Sequence, residues 1–183
     1  MKSQCRSRRG QIGFSMIEVL VTLLILLFGL LGLAGLVRQS QSSEMESYQR
    51  VQALVLLKDM AERIKTNRTE AAIYVTGTDE PLGAGSSLDC TSPVTRSEVD
   101  KCQWDDALKG AAETSGASNV GAMLGGRGCV TSPSTDEYLI EVVWQGLSTT
   151  AAPPASVLCG EGVYGDDKNR RAVTTVVRIG TLS

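Results

Sequence analysis

A chain of 183 residues has room for one domain and an appended element, and much of its ordinary 42% hydrophobic content lies near the N-terminus. The lack of any histidine excludes Ser-His-Asp and Cys-His nucleophile systems, His-ligated metals and the usual general base near neutral pH. Charge is uneven: Lys2, Arg6, Arg8 and Arg9 fill a short acid-free stretch. That leaves 14 of the 18 basic residues against 20 acidic ones, a net of −6 that offers no basic patch for nucleic acid.

The polar stretch 1–13, MKSQCRSRRGQIG, precedes a charge-free apolar run at 19–37 that is long enough to enter a bilayer. Its cations suit the cytoplasmic side of a membrane anchor. A cleaved secretory signal fits poorly, because Leu36, Val37, Arg38 and Gln39 form no small-residue cleavage site. Glu18 stands at the top of the run. A carboxylate there costs about 2.5–3.5 kcal/mol on insertion scales, so it is expected to have a cationic partner. Cleavage after Gly13 would create one, the α-amino group of Phe14, about one helical turn away. Between packed helices, the amine of one chain and Glu18 of a neighbour neutralise each other at a single stagger, which makes the pair a register device.

Gly13-Phe14-Ser15-Met16-Ile17-Glu18, followed by Val19-Leu20-Val21-Thr22-Leu23-Leu24-Ile25, resembles the class III signal and hydrophobic helix of type IV pilins and pseudopilins. The continuation Gly29-Leu30-Leu31-Gly32-Leu33-Ala34-Gly35-Leu36 is similar to minor pilins of the PilV kind. The resemblance implies a prepilin peptidase that cuts after Gly13 and methylates Phe14, with Glu18 as the assembly residue. Major pilins often carry a proline where this helix has Gly29, Gly32 and Gly35, so these glycines are expected to soften it. Small residues three apart also let helices approach closely in lipid.

The function implied is that of a minor pilin that primes or joins type IV pilus assembly, supporting twitching motility and surface attachment. It would start in the bacterial inner membrane as a single-pass protein with its head in the periplasm. The implied partners are the prepilin peptidase, other minor pilins, the major pilin, a large tip adhesin and inner-membrane lipid. Nucleic acid, cofactors and metals are not expected, and the chain reads as an enzyme's substrate rather than an enzyme. The rivals are a type II secretion pseudopilin and an uncleaved single-span periplasmic binding protein.

The expected fold class is α+β. A leader (1–13) precedes a transmembrane or filament-core helix (14–37), an amphipathic continuation (38–66) and a periplasmic head (67–183). No Pro or Gly interrupts the chain between Leu36 and Asn67. In the continuation, Val51, Leu54, Val55, Met60, Ala61 and Ile64 recur at helical spacing and are expected to face the head. Residues 76–96 read as loop. Ser97, with Asp100 three residues on, predicts a helix start, and 99–112 a short helix carrying Cys102 and Trp104.

Alternation predicts strands at 137–145 and 171–182, with a further strand around Cys129 and Val130 pairing as a hairpin with the first. Cys90, Cys102, Cys129 and Cys159 all lie beyond the apolar run, which suggests two disulfides in an oxidising compartment. Sequence permits three pairings. Cys90 with Cys102 and Cys129 with Cys159 is preferred because each half then closes locally. Gly165-Asp166-Asp167-Lys168-Asn169 lacks the spaced ligands of a calcium loop and reads as a solvated turn.

Overall fold

The computed structural model describes residues 14–111, 114–115, 118–119 and 123–180. The leader 1–13, including Gly13 and Cys5, lies outside them, as does the end of the second predicted strand at 181–182. Helix α1 runs Met16–Thr66, and the chain divides between Ser43 and Glu44 into two compact units.

In the first unit, every described residue is exposed, from Phe14 to Ser43. The run of Leu, Ile, Val and Phe forms helix with its side chains exposed. Its length and composition suffice to cross a membrane.

The second unit is α+β. After α1 come a 3-10 segment Arg68–Tyr74, β1 (Leu82–Gly83), α2 (Arg96–Leu108), the short pair β2 (Thr114–Ser115) and β3 (Ser118–Asn119), then β4 (Arg127–Ser134), β5 (Glu137–Gln145) and β6 (Arg170–Arg178). Strands β1-β4-β5-β6 form an antiparallel sheet in that order, with β4 and β5 as the expected hairpin. The main core joins α1, α2 and one sheet face through Met60, Ile64, Tyr74, Trp104, Ile140 and Val142.

Three expectations need correction. First, α1 buries Gln49, Ala53, Leu56, Leu57, Met60, Ala61 and Ile64, whereas Val51, Leu54 and Val55 stay exposed. The buried positions keep a 3–4 residue spacing through small Ala53 and polar Gln49. Choosing residues by apolarity alone turns the stripe toward the wrong side. Second, α2 starts earlier than Ser97. Thr95 is the cap: its Oγ1 accepts the Glu98 amide (3.2 Å), and Glu98 Oε2 accepts the Thr95 amide (2.9 Å), a reciprocal capping box. Ser97 and Asp100 are buried on the inner face of the helix instead.

Third, β5 does not alternate between buried and wet. Tyr138, Ile140, Val142 and Trp144 face the main core, but Glu141 and Val143 on the opposite side are buried too. The connection between β5 and β6 folds over that face and builds a second cluster of Cys129, Val143, Val157 and Cys159. A bond between Cys129 and Cys159, Cα–Cα 5.8 Å, fixes this cover, and one between Cys90 and Cys102, Cα–Cα 5.7 Å, ties the loop after β1 to α2. By chain-entropy estimates each bridge stabilises by about 3–4 kcal/mol.

Trp104 is fully buried, and its Nε1 donates to the Leu56 carbonyl of α1 at 2.9 Å. The ring lies directly over Gly128 of β4, where an added Cβ would overlap its six-membered edge. The sheet therefore needs a glycine here so that α2 can approach. Gly128→Ala is expected to destabilise the head by about 1–3 kcal/mol through overpacking, read as a lower midpoint in thermal or urea unfolding. An unchanged midpoint would mean that the Trp104 contact is not tight.

Candidate assembly site

Ser15 sets the start of α1. Its carbonyl accepts the amides of Glu18 (3.0 Å) and Val19 (3.3 Å), while its Oγ accepts the Ile17 amide at 3.3 Å. The bonds from Ile17 and Glu18 satisfy amides that a helix N-terminus leaves open. They also put Glu18 in the first turn, where the helix dipole favours a negative charge. The dipole supplies only partial charge, and no described residue forms an ion pair or hydrogen bond with the Glu18 carboxylate.

The surroundings of Glu18 are apolar and open. Phe14 is 82% exposed and Ile17 71%. Thr22, the polar side chain within the apolar run, donates to the Val19 carbonyl at 2.9 Å and so needs no outside partner. Nothing lies within 4 Å of a Cβ built on Gly29, Gly32 or Gly35. Along this stretch backbone polarity is satisfied internally, the side chains are bare, and one carboxylate has no partner among the described residues. Such a surface suits lipid or the packed helices of other chains.

The polar chemistry of the second unit is spent on holding it together, and sequence gave little sign of it. Asp100, 1% exposed, accepts from Arg63 of α1 (2.8 Å), from the Tyr74 hydroxyl (2.6 Å) and from Arg96. Burial, then the Asp100 hydrogen bond, pushes the Tyr74 hydroxyl up to about 12. Glu46 Oε1 accepts from the amides of Leu147 (3.1 Å) and Ser148 (3.3 Å), from Ser148 Oγ and from Arg171, pinning the turn after β5 to α1. Desolvation works against the charge of Glu46, but these bonds outweigh it and hold the carboxyl below its ordinary value. The i,i+4 pairs Asp59–Arg63 and Arg96–Asp100 were visible as spacings, yet only the fold brings the two pairs onto one carboxylate.

In the segment weighed as a calcium loop, Asp166 Oδ1 accepts the Lys168 amide (3.0 Å) and Asp167 forms an ion pair with buried Arg170. Arg170 also donates to the carbonyls of Val157 (2.8 Å) and Cys159 (3.0 Å). Glu141 lies beneath that loop. Its Oε2 accepts the Cys159 amide at 3.3 Å, and its Oε1 is buried with no described partner.

Two family models match the chain. One, for the prokaryotic N-terminal methylation motif, covers residues 8–34, and the other, described as type IV pilin Tt1218, covers 36–107. They meet within the helix and together take in more than half of the chain. The chain belongs to the type IV pilin superfamily. Searches of curated proteins and of solved structures returned no match. For this pilin, the methylation motif implies processing by prepilin peptidase and assembly with other pilins, and with the apolar helix it points to membrane anchoring before incorporation into a pilus.

Burial raises the carboxyl group of Glu141, against the Cys159 amide and Arg170, which favour its charge. An acid raised in the folded state favours folding only while protonated, so its contribution falls as pH climbs past the ordinary carboxylate range. Glu141→Gln keeps an acceptor for Cys159 without the charge. Its stability advantage is expected to be absent near pH 4 and to grow toward about pH 8, measured by thermal unfolding of the full chain in detergent. A gain that does not change with pH would contradict the burial account.

Proposed function

We propose that this pilin is a minor pilin of the PilV kind that primes or joins type IV pilus assembly. Prepilin peptidase cuts after Gly13 and methylates the new amine of Phe14, and that amine supplies a cation that no described residue gives Glu18. A neighbouring subunit displaced along the helix axis brings the two charges together, and only the correct stagger neutralises both. The single observation that carries this reading is Glu18, one turn from Phe14 and without a partner among the described residues, in a stretch of helix up to Ser43 with no covered residue. Gly29, Gly32 and Gly35 lower helix propensity by up to about 1 kcal/mol each, which lets the rod bend or pack closely as it leaves the membrane.

The head, on the periplasmic side before assembly, docks other minor pilins, the major pilin and a large tip adhesin. Twitching motility and surface attachment follow from the pilus. The placement of the disulfides suits an oxidising compartment, which supports this topology. The contribution of the chain is structural, made by packing and register.

Glu18→Ala is expected to leave cleavage largely intact and to reduce this subunit in sheared pili at least tenfold, about 1.4 kcal/mol or more of lost register energy. Immunoblots of membrane and pilus fractions report both quantities. Wild-type incorporation of the alanine variant would refute the register argument.

A further inference from the structure

The two disulfides of the head are buried to different depths. Cys129 and Cys159 are both fully buried in the second core, where Glu141 accepts the Cys159 amide and Arg170 donates to its carbonyl. A reductant reaches that bond only after the β5–β6 connection lifts. The Cys90–Cys102 bond lies nearer the surface. Cys102 is 8% exposed, Cys90 is half-buried, and Thr91 to Arg96 beyond it are all exposed. Exposed disulfides are the ones that exchange readily with thiols.

The segment around Cys90 is clamped at both ends and loose between. On one side, the Gly83 amide donates to Asp105 Oδ1 at 2.7 Å and the Ala84 amide to the Gly126 carbonyl at 2.8 Å. On the other, the amides of Val94 (2.8 Å) and Thr95 (2.9 Å) donate to Glu98 Oε2. Between these clamps the hydrogen bonds are local. Ser86 donates its amide to the Gly83 carbonyl, Leu88 to Ser86 Oγ and Thr91 to Asp89 Oδ1. Leu88, half-buried against the main core, and the disulfide hold the middle of the segment to the head.

Helix α2 has other anchors than this bond. Trp104, Asp105 and Leu108 are buried, Asp100 is held by Arg63 and Tyr74, and the capping box closes the helix start. The loose segment also contributes 85–89 to the lining of a cavity of about 410 Å3, together with Leu82 and Lys101.

We propose that Cys90–Cys102 is a redox latch, which a dithiol opens selectively, freeing 85–93 from α2 and loosening the wall of the cavity while the head stays folded. One thiolate of the dithiol attacks Cys90 Sγ, the S–S bond breaks, and Cys102 leaves as a thiolate. The second thiol of the dithiol then displaces Cys90. The dithiol ends as a disulfide, and its two electrons and two protons end on the cysteine pair. No residue of the helical stretch that carries Glu18 takes part, so failure of the latch would leave the assembly reading untouched.

The test uses the full chain in detergent micelles, with free thiol first blocked by iodoacetamide and dithiothreitol as the reductant. New thiols are trapped with N-ethylmaleimide and located by peptide mass mapping. Cys90 and Cys102 are expected to be trapped at least about tenfold faster than Cys129 and Cys159. Amide hydrogen exchange at 85–93 should then speed up by at least about tenfold, with 97–108, β4 and β5 unchanged. The double variant Cys90→Ser with Cys102→Ser should show the same exchange pattern without reductant. Three results would overturn the proposal. One is equal trapping of the two cysteine pairs. Another is unchanged exchange at 85–93 once Cys90 and Cys102 are reduced. The third is loss of protection along 97–108, in the reduced chain or the double variant, which would make the bond a structural staple of α2.

Discussion

A carboxylate on a bare apolar helix is the constraint on which everything else in this pilin turns. Glu18 satisfies the dipole of α1 but finds no cation among the described residues, and the helix around it, from 16 to 43, buries nothing. Lipid alone leaves such a charge costly, by about 2.5–3.5 kcal/mol. On the proposed reading, an isolated subunit is incomplete at its N-terminal end, and that incompleteness favours assembly. The account needs no chemistry beyond one new amine and one correct stagger.

The head meets the opposite problem, since its polar groups must be satisfied without outside help. Asp100 gathers Arg63, Arg96 and Tyr74, joining α1, α2 and the 3-10 segment through one buried carboxylate. Breaking such a group by removing one partner typically costs about 3–5 kcal/mol, far more than a surface pair would contribute. Gly128 lets Trp104 reach the sheet, and the indole in turn bonds the backbone of α1. The Cys129–Cys159 bridge pulls the long β5–β6 connection over the second face of the sheet. A thin core thereby becomes two cores that share β5.

Local rules carried much of this from sequence. The apolar run, the motif ending at Glu18, β5 with its Tyr138-to-Trp144 alternation and the hairpin of β4 with β5 all depend on neighbours close in the chain. What escaped depends on neighbours far away. The buried stripe of α1 includes Gln49 and Ala53, which look neutral until a sheet covers them. Glu141 occupies a position that alternation assigns to solvent, and only the returning loop buries it. The start of α2 was missed for a subtler reason: Thr95-to-Glu98 and Ser97-to-Asp100 are both credible caps, and burial of Asp100 by Arg63 and Tyr74 decides between them. At the candidate assembly site, Glu18 was legible because an acid in an apolar run is conspicuous, whereas no described residue pairs with it.

The most direct measurement is the intact mass of this chain recovered from sheared pili. The account predicts a polypeptide that begins at methylated Phe14, with 1–13 removed. A chain still beginning at Met1 in the pilus fraction would contradict it, as would a processed chain found only in the membrane.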